Sequence, residues 1–133
     1  MARYGSLVAW LALACLTASL ALRSVVTGHG PFVTQHEFAT SMAWGFLAMF
    51  LFFEWRYRAR TLALLVLPIT AGMELYALTQ ATTVDPLVPA LQNSLLLTTH
   101  IIVAVFAYGA FAVSFAAAAL YLAQAWIPES LAR

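Results

Sequence analysis

The sequence predicts an all-α fold, a four-helix transmembrane bundle with both termini cytoplasmic. Three observations predict it. Of 133 residues, 64% are hydrophobic and 8% charged, whereas a water-soluble domain carries roughly 25% charged residues. Too few charges remain to cover a globule, so lipid must be the solvent. The apolar residues fall into four runs, at about 6–26, 39–55, 61–78 and 91–126, each long enough to cross or nearly cross the ~30 Å apolar core of a bilayer as a helix. The six basic residues, all arginine, are distributed unevenly between the two sides those runs define. The whole chain reads as one integral membrane domain.

The first run follows Arg3 and ends near Arg23. A cleaved signal peptide competes with a retained span here, because small residues such as Ala18, Ser19 and Ala21 abound. A retained span is preferred: the leading charge is weak and the run is long enough to cross by itself. Residues 27–38, T-G-H-G-P-F-V-T-Q-H-E-F, read as a loop punctuated by Gly28, Gly30 and Pro31. The loop carries His29, His36 and Glu37.

The second run closes on E-W-R-Y-R-A-R, where Arg56, Arg58 and Arg60 form the densest charge cluster and Trp55 and Tyr57 suit an interfacial aromatic belt. The third run holds Pro68 near its middle, where a missing donor kinks a helix, and Glu74 about a turn from its far end. Asp85, Pro86 and Pro89 open the fourth run, which has neither charge nor proline from 91 to 126 and stops at Pro128.

With the Arg56–Arg58–Arg60 loop in the cytoplasm, five arginines lie inside and only Arg23 outside, as the positive-inside rule asks. His29, His36 and His100 then fall on the extracytoplasmic side with Glu37, Glu74, Asp85 and Arg23. The net charge of +1 leaves no basic stripe for nucleic acid. No CxxCH motif is present, which excludes a c-type cytochrome, and the lone Cys15 forms no disulfide within the chain.

Neutral imidazole ligates metals and haem iron. His100 sits where a polar lead-in meets the apolar body of the fourth run, above Ala104, Ala107, Tyr108 and Phe111 at three- and four-residue spacing. A flat apolar ring suits that face, and Arg23 is the natural cation for a propionate. The bland readings stand beside these: a boundary histidine, an ordinary helix-packing face, a turn histidine in G-H-G-P, and a Glu74 reaching to the interface. An ionisable residue inside a span is nonetheless a functional candidate by default. His36 and Glu37, being adjacent, point apart on a helix and do not chelate one ion together.

L-V-P-A-L-Q (87–92), His100, then Tyr108, Phe111, Ser114 and Phe115, with G-H-G-P, Glu37 and Ala43–Trp44 earlier, resemble the CcsA/ResC family of haem-handling membrane proteins of cytochrome c assembly. The likeness runs in order along nearly the whole chain. It implies that His100 is an outer-side axial ligand of haem b; Tyr108, by its spacing, and Arg23, as the outer cation, are the residues placed to join that site. His29, His36, Glu37 and Glu74 are further candidates. The family's tryptophan-rich loop and second outer histidine have no counterpart, so the chain is like the N-terminal half of such a protein. A second cytochrome c assembly subunit is then expected to supply the missing part, with apocytochrome c an indirect partner and a bacterial plasma or thylakoid-type membrane the location. Two other readings remain open. One is a non-enzymatic accessory subunit whose small residues (Gly72, Gly109 and 116–119) face a larger complex. The other is a transporter, which would call for repeats that the two halves do not show.

Overall fold

The computed structural model describes residues 2–82 and 94–126. Asp85, Pro86, Pro89, the L-V-P-A-L-Q segment, Pro128, Glu129 and Arg133 lie outside the described residues, as does the side chain of Arg3. Four helices make up the fold: α1 (Ala2–Thr27), α2 (Gln35–Tyr57), α3 (Ala63–Thr79) and α4 (Ser94–Trp126), with a single 3-10 turn, Arg60–Leu62, between α2 and α3. No strand occurs among the described residues. All four helices are long and apolar enough to cross a membrane, as expected for an integral membrane protein.

Helix α2 begins four residues earlier than the loop expected at 27–38 allows. The reason is local. Thr34 stands outside the helix with extended backbone, its hydroxyl accepts from the amide of Glu37, and the Glu37 carboxylate accepts from the amide of Thr34. This reciprocal capping box starts the helix at Gln35 and puts His36 and Glu37 in its first turn rather than in a loop. At its other end α2 stops at Arg58, which takes left-handed backbone (φ 56°) and returns its N–H to the Glu54 carbonyl at 2.8 Å.

Helix α2 is the hub and packs against the other three. The start of α1 meets the end of α2 through Ser6 and Glu54, and the end of α1 meets its start through Arg23 and Glu37. The two helices are therefore antiparallel, and Thr40–Glu74 and His36–Ala77 contacts show the same for α3. Helix α4 runs parallel to α2, with Trp44 against Phe106 and Phe50 sharing a core with Val113 and Ala116. One end of the bundle thus collects His29, His36 and the His100 turn of α4. The opposite end carries Arg56, Arg58 and Arg60.

The α2–α4 crossing is set by two glycines. A Cβ placed on Gly109 would meet the Gly45 carbonyl oxygen at 2.6 Å and the Met49 Cγ at 2.7 Å, and one on Gly45 would run into Val105. Lipid tails are as apolar as the helices, so shape rather than hydrophobicity holds helices together in a bilayer. This crossing overturns part of the expected outward interface: Gly109 and Ala116 are buried inside the bundle, whereas Gly72 has nothing within 4 Å. Small residues are drawn into the internal contact because only they let the backbones approach.

Gly109→Ala should accordingly destabilise the protein by about 1–3 kcal/mol through overpacking. Gly72→Ala should leave stability unchanged or raise it by up to about 1 kcal/mol through helix propensity. Thermal unfolding of the two variants in detergent checks the contrast.

Candidate functional site

The histidine end of the bundle is built around a buried carboxylate. The Glu37 side chain has no exposed surface. Its Oε1 accepts from the Nε of Arg23 at 2.6 Å, and its Oε2 accepts from the amides of Val33 at 2.9 Å and Thr34 at 3.3 Å. Both oxygens act as acceptors, the pattern of an ionised carboxylate. Arg23 keeps 20% of its side chain exposed and also donates from Nη2 to the Thr82 carbonyl at 3.2 Å. One guanidinium therefore ties the end of α1, the start of α2 and the segment leaving α3. The cation expected to serve a propionate is engaged in holding these three pieces together.

His29 and His36 each set a ring nitrogen against a backbone carbonyl. The Nδ1 of His36 lies 2.9 Å from the Ala77 carbonyl, and the Nδ1 of His29 lies 2.9 Å from the Gly30 carbonyl. A carbonyl only accepts, so in the neutral ring each Nδ1 carries the proton and each Nε2 presents a lone pair. The Nε2 of His29 is buried with no hydrogen-bond partner among the described residues. A ring N–H held by a backbone carbonyl is the usual outer-shell arrangement of a ligating imidazole, yet no group of three or more His, Cys, Asp or Glu side chains able to hold a metal ion occurs among the described residues. His36 and Glu37 have different partners, the Ala77 carbonyl and Arg23.

Glu74 accepts a long hydrogen bond, 3.4 Å, from the Thr40 hydroxyl. It also borders an apolar cleft of about 660 Å³ between α1 and α3, which runs from Tyr4 and Val8 past Cys15 to Thr70. Its neighbours explain how a carboxyl is tolerated within a span: one hydroxyl and the mouth of a cleft, rather than full burial.

His100 belongs to a different surface. Val105, Gly109, Val113 and Ala116 form the buried stripe of α4. At about 100° per residue, His100, Ala104, Ala107 and Phe111 lie roughly opposite that stripe. His100, Ala107, Tyr108 and Phe111 are all exposed, and the Tyr108 and Phe111 rings meet edge to face at 6.3 Å. The result is an outward face with one imidazole, a small aliphatic stretch of Val103, Ala104 and Ala107, and an aromatic border. The face fits one side of a flat apolar ring with a metal at its centre: it offers one nitrogen ligand and no second one. His29 and His36 share this end of the bundle but not this face.

Several of these contacts escaped a reading of the sequence alone. The T-Q-H-E run, 34–37, is a capping-box signature that was there to be read. Trp44 donating to the Thr17 hydroxyl at 2.8 Å and Ser41 donating to the Pro31 carbonyl at 3.1 Å have no local signal, because the partners are far apart in the chain.

Two curated proteins, each named cytochrome c biogenesis protein CcsA, are similar to the chain. The protein from Chlorella vulgaris is 33% identical over 111 residues, which cover 80% of this chain and 33% of the relative. The protein from Microcystis aeruginosa is 30% identical over 100 residues, which cover 72% of this chain and 30% of the relative. The chain spans about a third of the length of these curated relatives. No family model matches it, and no solved structure matches it.

The Arg23–Glu37 pair yields a quantitative expectation. Arg23→Gln strands a buried carboxylate and should cost about 3 kcal/mol, and the double variant Arg23→Gln with Glu37→Gln should recover most of that loss. A double-mutant cycle by thermal unfolding in detergent measures it.

Proposed function

We propose, from the CcsA-like relationship that the two relatives support, that this chain is a haem-handling membrane component of cytochrome c biogenesis. In this reading His100 is one axial ligand of haem b at the extracytoplasmic boundary. The second ligand comes from outside these 133 residues, and apocytochrome c receives the haem.

The observation that carries the reading is the outward face of α4. An imidazole stands there above Ala104 and Ala107, bordered by Tyr108 and Phe111, opposite the stripe that packs against α2. An apolar macrocycle lying on that face would meet methyl groups and ring edges, and His100 would reach its iron. Haem, when bound, supplies the group to be delivered. The chain's own part is to ligate it from one side and keep it at the boundary.

The Arg23–Glu37–Thr82 network lies at the same end of the bundle, where it ties Thr82, just after α3, to α1 and α2. His29 and His36 offer further Nε2 lone pairs at the same end. The orientation proposed puts this end outside and the Arg56–Arg58–Arg60 turn in the cytoplasm with both termini, following the positive-inside rule.

The second reading, a non-enzymatic accessory subunit, is favoured by how little of α1 is buried: Leu7, Val8, Leu11, Leu22, Val25 and Val26 are exposed in the described structure. It predicts co-purification with a larger complex at fixed stoichiometry and no haem spectrum from this chain.

Purified with its membrane partners, the full chain should show a haem spectrum. His100→Ala should lower haem content at least several-fold or change the ligation signature, and unchanged content and ligation would remove His100 from the site. For the orientation, Gln35→Cys in a Cys15→Ser background should react with an impermeant thiol reagent from the extracytoplasmic side, and Arg58→Cys only from the cytoplasmic side. The reverse pattern would overturn the topology.

A further inference from the structure

The opposite end of the bundle has its own chemistry. The end of α2 and the turn that follows it read F-F-E-W-R-Y-R-A-R, residues 52–60. Trp55 is 74% and Tyr57 63% exposed, and Arg56, Arg58 and Arg60 are exposed beside them. The aromatic side chains support one another. Phe53 stacks on Tyr57 with centroids 5.6 Å apart and planes 22° from parallel, while Phe52 lies 6.5 Å from Trp55.

The arginines are placed as firmly. The Arg56 guanidinium sits 5.2 Å from the Tyr57 ring centroid, a cation–π contact that orients it. Arg58 occupies the left-handed cap position, and its carbonyl accepts from the Arg60 amide at 2.9 Å. Glu54 is the sole acidic residue in the segment. It is already engaged internally, its Oε1 accepting from the Ser6 hydroxyl and forming an ion pair with the Nε of Arg60 at 3.5 Å. One of the three cations is thus balanced within the fold, and Arg56 and Arg58 present two positive charges outward at the level of the aromatic belt.

We propose that Arg56 and Arg58, flanked by Trp55 and Tyr57, form a binding site for the headgroup of an anionic phospholipid. Guanidinium groups match phosphate oxygens in bidentate geometry and hold less water than ammonium groups. Exposed Trp and Tyr rings sit at the headgroup level of a bilayer. A lipid satisfies both demands at once: its phosphate and anionic headgroup meet the arginines, and its glycerol and first methylenes meet the rings. A soluble anion would meet only the first. Glu54, held by Ser6 and Arg60, keeps its negative charge from repelling the headgroup.

The test uses the full chain in detergent micelles, with phosphatidylglycerol or phosphatidylcholine titrated in and bound lipid counted by native mass spectrometry. Phosphatidylglycerol should be retained in preference to phosphatidylcholine. Each arginine near an anionic surface contributes about fivefold in affinity, so Arg56→Gln with Arg58→Gln should weaken phosphatidylglycerol retention roughly 25-fold while helicity by circular dichroism stays unchanged. Arg56→Lys with Arg58→Lys should restore part of the retention. Equal retention of the two lipids, or a double Gln variant that binds as well as the parent, overturns the proposal. Full displacement of the lipid by glycerol phosphate without acyl chains overturns it too, because the site would then be one for soluble phosphate.

Discussion

The close approach of α2 and α4 at Gly45 and Gly109 decides what α4 can offer to its surroundings. With a Gly45 carbonyl 2.6 Å from where a Gly109 Cβ would stand, the helices cross in one rotational setting, and that setting commits Val105, Gly109, Val113 and Ala116 to the inside. The opposite face, with His100 at its upper end, is left for lipid, cofactor or partner. Rotating α4 by a third of a turn would bury the imidazole against α2 or push bulky rings into the crossing. The availability of His100 is therefore a consequence of two missing methyl groups more than of anything around the histidine itself.

The two ends of the bundle solve the same problem in different ways. Each places a carboxylate at the α1–α2 junction and gives it an arginine and further donors. At the histidine end Glu37 is fully buried, with Arg23 and two backbone amides around it. At the arginine end Glu54 takes a serine hydroxyl and Arg60. A buried charge demands this much satisfaction, and breaking it costs more than the pair itself contributes. The payoff is specificity of assembly. Lipid gives apolar helices little reason to prefer one neighbour, and these polar ties hold α1 against α2 at both ends although little of α1 is buried.

The proposed haem site rests on α4, on the face with His100, Ala104, Ala107, Tyr108 and Phe111 that turns away from α2. Arg23 does not stand idle for a propionate, because Glu37 and the Thr82 carbonyl hold it. The expected small-residue interface divides in the same manner, with Gly109 and Ala116 spent inside the bundle and Gly72 left open. In both cases the residue type is plain in the sequence and its partner is decided by the fold.

Composition and arginine placement determine, without any structure, that the chain lives in lipid, that it has four helices, and that its histidines and its arginine cluster lie at opposite ends. These are additive properties of consecutive residues: hydropathy sums along a run, and a charge marks the end of a run wherever it folds. Even the early start of α2 was legible in Thr34 and Glu37, three residues apart. Only the tertiary structure decided which face of each helix is buried, which histidine stands exposed, and that Arg23 meets Glu37. In water a buried face announces itself as an apolar stripe on a polar helix. In a bilayer both faces are apolar, the stripe disappears, and the choice falls to shape complementarity between residues distant in sequence.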